Sequence, residues 1–329
     1  MFSVIYIEAE IADHPVTRQV LDRFPAAARV QIERYGAVFN RRNQNFRLQK
    51  RRPSLILARK HGELLLPTPA GYGIGQPRNF YFSHLLNCVY DCRYCFLQGM
   101  YRSAHYVLFV NYDDFLDSMA NILRDDPPET CFFSGYDCDS LALEPVTGFA
   151  ERFLPFFAEH PEHWLELRTK STQIRSLLAR PALPNVVAAF SFTPDAMAEA
   201  LEHKVPTVQR RVEALVKLAQ AGWPVGLRFD PLIYTVDFRE QYRALFRTIF
   251  ERLPMDRLHS VSFGPFRLPR DFFRSIARLY PDEPLYASAM EERSGMVSYP
   301  RHLETELQNF CREELLHHVP EHTLQPCEF

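Results

Sequence analysis

Residues 79–95 read Asn79-Phe-Tyr-Phe-Ser-His84-Leu-Leu-Asn-Cys88-Val-Tyr-Asp-Cys92-Arg-Tyr-Cys95. The aromatic-rich opening is the composition of a strand over 79–84. Three cysteines follow in the spacing C-x3-C-x2-C. Sulfurs at i, i+4 and i+7 of a looping segment can converge on one compact inorganic centre. A structural zinc site takes four ligands, and no second cysteine pair stands at the usual distance. Three thiolates on an iron–sulfur cube leave one iron open to a small cofactor. A zinc site remains the competing reading of the same residues.

Downstream the chain keeps a rhythm. Short β-branched or aromatic runs predict strands over 79–84, 130–134, 164–168, 186–192, 225–229 and 260–263. Amphipathic patterns predict helices over 113–123, 147–157, 172–178, 208–221, 238–253 and 270–279, and a further one over 303–316. Six βα units in a row imply a parallel sheet, either doubly wound or barrel-like. The expectation adopted is a partial (β/α)6 barrel over 76–285. Residues 1–75 lack the rhythm and end in a turn-rich stretch over 67–75, so they read as a lead-in or cap, and 286–329 as a C-terminal extension.

The 329 residues are 47% hydrophobic, enough for one large α/β domain with an appendage. No apolar run approaches the roughly 20 residues needed to span a bilayer. The first residues carry Glu8, Glu10 and Asp13 where a secretory signal is basic and apolar, so a cytoplasmic address is expected. Of the other cysteines, Cys131, Cys138, Cys311 and Cys327 are scattered, which suits a reducing compartment and not a disulfide framework. The net charge of −2 conceals a basic N-terminal stretch, Arg41, Arg42, Arg47, Lys50, Arg51 and Arg52, with Phe39 and Phe46 beside it.

The stretch Cys88 to Cys95 resembles the motif of radical S-adenosylmethionine (SAM) enzymes. That resemblance implies a [4Fe-4S] cluster held by Cys88, Cys92 and Cys95, with SAM on the open iron. It also implies a one-electron reductant of the flavodoxin or ferredoxin type. One electron would split SAM into methionine and a 5′-deoxyadenosyl radical, chemistry that no side chain supplies.

If the barrel is real, its chemistry belongs at the C-terminal ends of the strands. Those ends are polar: Ser134-Gly-Tyr-Asp-Cys138-Asp-Ser140, Thr169-Lys170-Ser171, Ser191-Phe-Thr193 and Asp230-Pro231. Together with Cys95-Phe-Leu-Gln98 and Val146-Thr-Gly148, they resemble spore photoproduct lyases in order and spacing. The resemblance implies that Cys138 gives a hydrogen atom to the product and that Ser140, Lys170 and Ser191 contact SAM, Lys170 through the carboxylate. Asp230 joins the cofactor-binding candidates and Tyr94 the catalytic ones.

Each residue also has an ordinary reading. Cys138 can be a small buried apolar group, Lys170 a partner of Glu166, Ser140 and Ser191 helix caps, and Asp230 a turn former.

The implied substrate is a methylene-linked pair of thymines in DNA, flipped from the duplex at a cost of a few kcal/mol. The basic stretch with Phe39 and Phe46, and Tyr299 with Arg301, are candidates for DNA contacts. One position departs from the family pattern: the third cysteine is flanked by Tyr94 and Phe96, where the family has two tyrosines. The second is implicated in returning hydrogen to the adenosyl group, so recycling of SAM is in question. The alternatives are a radical SAM activity on RNA, a peptide or a small metabolite, and a zinc-dependent nucleic-acid-binding module without catalysis.

Overall fold

The computed structural model describes residues 2–69, 71–125 and 127–326. The chain begins with β1 (Val4–Glu8), α1 (Pro15–Arg23), β2 (Ala28–Ile32), α2 (Phe46–Arg51), β3 (Leu55–Ala58) and β4 (Leu65–Pro67). β1 pairs in parallel with both β2 and β3. The segment expected to lack βα rhythm therefore contains a β-α-β unit of its own. Its sequence conceals this because β2 is exposed along nearly all its length, and an exposed strand need not alternate apolar with polar.

Next come β5 (Arg78–Phe82), β6 (Leu85–Leu86), β7 (Asp91–Cys92), α3 (Leu97–Met100) and β8 (Tyr106–Phe109). β8 pairs with β3 and β6, completing the small sheet β2-β1-β3-β8-β6. The small sheet thus draws strands from both sides of residue 75, while β4 lies antiparallel on β5 of the other sheet. The strand expected over 79–84 ends at Phe82. Ser83 Oγ donates to Asp137, and His84 O accepts from Phe109 N at 2.9 Å, which swings the chain toward the small sheet.

The repeats follow as α4 (Tyr112–Ile122), β9 (Thr130–Ser134), α5 (Glu144–Thr147), α6 (Phe149–Glu159), β10 (Trp164–Thr169), α7 (Arg175–Leu178) and β11 (Val186–Ser191). They continue through α8 (Asp195–Leu201), β12 (Glu202–His203), α9 (Val208–Gln220), β13 (Val225–Leu232), α10 (Phe238–Phe250) and β14 (Leu258–Pro265). The C-terminal part holds β15 (Arg267–Pro269), α11 (Arg270–Leu279), α12 (Pro284–Ala287), β16 (Glu291–Arg293), β17 (Met296–Ser298), α13 (Arg301–Leu316) and β18 (Leu324–Pro326).

The main sheet runs β4-β5-β9-β10-β11-β13-β14-β18. Every pairing from β5 to β18 is parallel. Its two edges are not joined, so the curled sheet is the partial α/β barrel expected from the sequence. All six expected strands are present within it. β11 is buried at every residue, as a strand covered on both faces must be, and reads Val-Val-Ala-Ala-Phe-Ser. α10 buries Phe238, Tyr242, Leu245, Phe246 and Ile249, a single helical stripe turned to the sheet.

Two helices start later than their periodicity suggests. Ser171 N donates to Thr169 Oγ1 at 2.8 Å and Gln173 N to Ser171 Oγ at 3.0 Å, local turns that compete with a helix until Arg175. Gly148, at φ 58°, separates α5 from α6. At the far end, α13 packs on α10 through the Phe238 and Phe310 rings, 5.4 Å apart.

Candidate active site

The loop from β6 to α3 is folded by its own polar groups. Asn87 takes a left-handed φ of 69°, and its Nδ2 donates to Ser103 O and His105 O at 2.8 and 2.7 Å. Arg93 N donates to Leu201 O at 2.8 Å, and β7 pairs with β12 so that Cys92 stands opposite Glu202. Asp91 meets Lys50 and Arg93, each at 3.1 Å. This loop covers a cavity of about 280 Å³ at the C-terminal ends of the barrel strands. Cys88, Cys92 and Cys95 line it from the loop, and Cys138, Lys170, Ser191 and Asp230 from the strand ends.

The three loop cysteines form no disulfide. Burial pushes the Cys88 thiol up to about 12 and raises Cys92 and Cys95 for the same reason. A nearby cation favours the thiolate, and a metal centre supplies one. All three also border a second cavity of about 30 Å³ behind the loop, with Phe46 and Lys50 on its wall. Cysteines that line two cavities are not core filling, because packed interiors leave few voids. Among the described residues, no three His, Cys, Asp or Glu side chains group as one metal ion requires. Three free thiols on one loop are the ligand number that an iron–sulfur cube with one open iron takes.

Lys170 does not pair with Glu166. Its Nζ lies 3.7 Å from Glu202 Oε1 and 5.4 Å from the centre of the Tyr94 ring. Glu202 is buried and accepts from Arg211 Nη2 at 2.6 Å, from Thr193 Oγ1 at 3.1 Å and from the Tyr94 hydroxyl. Arg211 is the nearer cation to Glu202, at 2.6 Å against 3.7 Å for Lys170, and Lys170 lines the cavity. Burial, with the Glu202 charge added, holds the Tyr94 phenol well above its ordinary value. Tyr94 is thus a protonated wall residue tied to Glu202.

Cys138 is buried at the cavity edge, and burial, reinforced by Cys88, Asp139 and Asp137, holds its thiol well above the ordinary value. It stays S–H, the form that can yield a hydrogen atom. Asp139 accepts from Leu141 N, Ala142 N, Thr169 Oγ1 and Lys170 N at 2.6–3.0 Å, which ties the loops after β9 and β10 together. Ser140 stands behind the wall: its Oγ is 2.8 Å from Ser134 Oγ, and its N donates to Arg168 O at 3.0 Å. Gly135, at φ 83°, makes room, since a Cβ there would lie 2.5 Å from Ser140 Oγ. Ser191 lines the cavity and its carbonyl accepts from Arg211 Nη1 at 2.8 Å. Asp230 Oδ2 accepts from Ser262 Oγ at 2.6 Å.

Several residues at the wall or behind it were given no role by the sequence reading. Glu202 and Arg211 have no motif, and only the pairing of β12 with β7 brings them to the cysteines. Tyr136 lies inside the polar loop after β9, stacks on Tyr81 at 4.4 Å and sits 6.1 Å from the Phe96 ring. Arg168 and Arg267 add positive charge to the wall.

The DNA-contact candidates fare differently. Phe39, Phe46 and Tyr299 are buried, and the Tyr299 hydroxyl accepts from Tyr234 N at 3.1 Å, so none is available to stack on a base. Lys50 is committed to Asp91. The basic α2 borders the small cavity and the barrel loops border the large one, so the cysteine loop separates them. Arg301 is exposed. Cys131 and Cys311 are buried in β9 and α13, and Cys327 lies outside the described residues.

Residues 72–324 match the family model described as spore photoproduct lyase. Among curated proteins, the chain is 28% identical over 202 residues to spore photoproduct lyase of Bacillus subtilis, covering 60% of this chain and 59% of that protein. It is 20% identical over 229 residues to spore photoproduct lyase of Clostridium acetobutylicum, covering 68% of each. The matched part spans about three-fifths of the Bacillus relative's length. Among solved structures, spore photoproduct lyase complexed with dinucleoside spore photoproduct superposes with a TM-score of 0.83 at 18% identity, covering 99% of this chain and 98% of that one. A mutant with bound AdoMet and dinucleoside spore photoproduct gives 0.85 at 17% identity over the same shares. No described helix is long and apolar enough to cross a membrane.

Proposed function

Because the chain belongs to the spore photoproduct lyase family, we propose that it is a radical SAM carbon–carbon lyase that opens a methylene-linked thymine pair in DNA. The observation that carries this reading is the meeting, in one cavity, of three free loop thiols with a fourth, protonated thiol at Cys138. Cys88, Cys92 and Cys95 would hold a [4Fe-4S] cluster. With SAM bound, that cluster supplies one-electron cleavage to a 5′-deoxyadenosyl radical, able to take hydrogen from an unactivated carbon.

The remaining work falls to the chain. Lys170 offers its ammonium to the SAM carboxylate, a charge-assisted contact, while Arg211 is the nearer cation to Glu202. Ser191 and Asp230 border the same space, and Ser140 braces the β9 and β10 ends behind it. Cys138 holds its hydrogen as S–H beside the substrate and gives it to the thymine carbon left with an unpaired electron. Arg267 and Arg168, the latter paired with Glu166, line the cavity and would meet a dinucleotide phosphate there. Phe96 brings no hydroxyl to the path back from substrate to adenosyl, so this chain consumes SAM or uses another phenol, Tyr136 being the nearest ring. Its free thiols and its need for a strong reductant suit the cytoplasm.

The test is to incubate reconstituted, reduced protein with SAM and defined thymine lesions, and to measure repaired thymine and 5′-deoxyadenosine. Repair of the methylene-linked lesion is expected. SAM cleavage without any repair would assign the scaffold to another substrate. Cys138→Ala should still cleave SAM while clean product falls and adducts appear; clean product at the natural rate would remove Cys138 as donor.

A further inference from the structure

We infer that the face formed by the residues before β1, the end of α2 and the cysteine loop is the docking surface for a small acidic one-electron carrier. This rests on the cluster assignment above. A groove of about 530 Å³ on this face is floored by Phe2, Phe24, Val89 and Tyr106, and its charged lining residues are Arg51 and Arg52. Val89 is covalently joined to Cys88, so the groove reaches the backbone of a proposed cluster ligand from outside. The large cavity takes none of these residues into its wall. Electrons can therefore arrive on one side of the cysteine loop while SAM and DNA occupy the other.

The charge pattern selects the partner. Arg51 and Arg52 are exposed and have no ion pair among the described residues, and Arg47 on the same helix is exposed as well. An apolar floor edged by unpaired arginines complements a carrier with an acidic rim around an apolar cofactor edge. Such complementarity acts chiefly on the rate of encounter. The same placement explains a basic stretch in a chain of net charge −2 that does not border the substrate cavity. In the transfer itself, a flavin hydroquinone is oxidised to its semiquinone, and the oxidised cluster gains that one electron; no bond between the proteins forms.

The experiment uses the reconstituted full chain, with iron, sulfide and visible absorption measured first, and flavodoxin hydroquinone as probe. Stopped-flow bleaching should show carrier-driven reduction that slows as salt rises. Arg51→Glu/Arg52→Glu should slow it by about tenfold or more at low salt, and Arg51→Gln/Arg52→Gln by less. Reduction by dithionite, which needs no docking, should be unchanged in both variants. Binding of flavodoxin to the apoprotein, followed by calorimetry, should weaken in the same order. Equal carrier rates in wild type and variants, with an intact cluster, overturn the docking surface alone. Loss of DNA affinity with an unchanged carrier rate makes the groove a nucleic-acid surface and overturns it too. A protein that takes up no iron overturns both this inference and the cluster reading.

Discussion

Two buried arginine–glutamate pairs use the same chemistry for different ends. Arg228 and Glu166 are fully buried and join β13 to β10 across β11, with Arg228 Nη2 at 2.7 Å from Glu166 Oε2. Arg228 also donates to Ser260 Oγ at 2.9 Å, to Ser260 O at 3.1 Å and to Leu227 O at 3.0 Å, so its guanidinium is spent within the sheet. Arg211 and Glu202 are as deeply buried, yet Glu202 has oxygens left for Tyr94, Thr193 and Lys170. Glu166 has one further partner, Arg168 Nε at 3.2 Å, so the first pair reaches the cavity wall through a single arginine and the second through Tyr94, Thr193 and Lys170. A buried ion pair is therefore informative about function through what its leftover lone pairs touch, and not through its burial.

The contrast breaks most sharply at Glu166. Glu166→Ala strands Arg228 in the sheet, and removing one partner of a buried pair costs about 3–5 kcal/mol. Urea unfolding should register that loss, with SAM affinity unchanged in whatever remains folded. Burial alone would raise the Glu166 carboxyl, but Arg228 and Arg168 hold it below its usual range. Its stabilising share is thus present above the unfolded carboxylate value and lost as pH falls through the folded one.

Lys170→Ala is the mirror experiment. It should weaken SAM binding by about tenfold to a hundredfold, the range of a charge-assisted contact, with urea stability and iron content near wild type. A stability loss as large as that of Glu166→Ala, with SAM affinity kept, would erase the distinction between the two pairs.

A third buried carboxylate sharpens the comparison because it has no arginine. Glu144 meets Ala150 N with its oxygens at 3.1 and 3.0 Å, and burial pushes it up to about 7 from 4.5. The folded state then holds a proton that the unfolded state has released, so stability should fall as pH rises between about 4.5 and 7. The fall should be about 1–3 kcal/mol, and Glu144→Gln should flatten it in unfolding curves taken across that window. The smallest expected effect is at Phe96. If the missing hydroxyl limits recycling, wild type should release close to one 5′-deoxyadenosine per repair, and Phe96→Tyr should lower that ratio.

The sequence alone determined the cysteine loop, the six barrel strands and the polar strand ends, because each is written locally. Spacing fixes which thiols share a loop, and a strand buried on both faces must be apolar throughout, as at Val186–Ser191. Cys138, Lys170, Ser191 and Asp230 were legible for the same reason, since the ends of successive parallel strands meet by construction. The contact of Ser140 with Ser134 was not legible, because it depends on the turn at Gly135. Only the tertiary structure decided the rest. It buried Phe39, Phe46 and Tyr299, built a second sheet from strands on both sides of the barrel's first strand, and brought Glu202 and Arg211 to Tyr94 over more than a hundred residues. Long-range pairing of this kind leaves no periodicity to read, because a strand as short as β12 and a single glutamate acquire their meaning only from what packs against them.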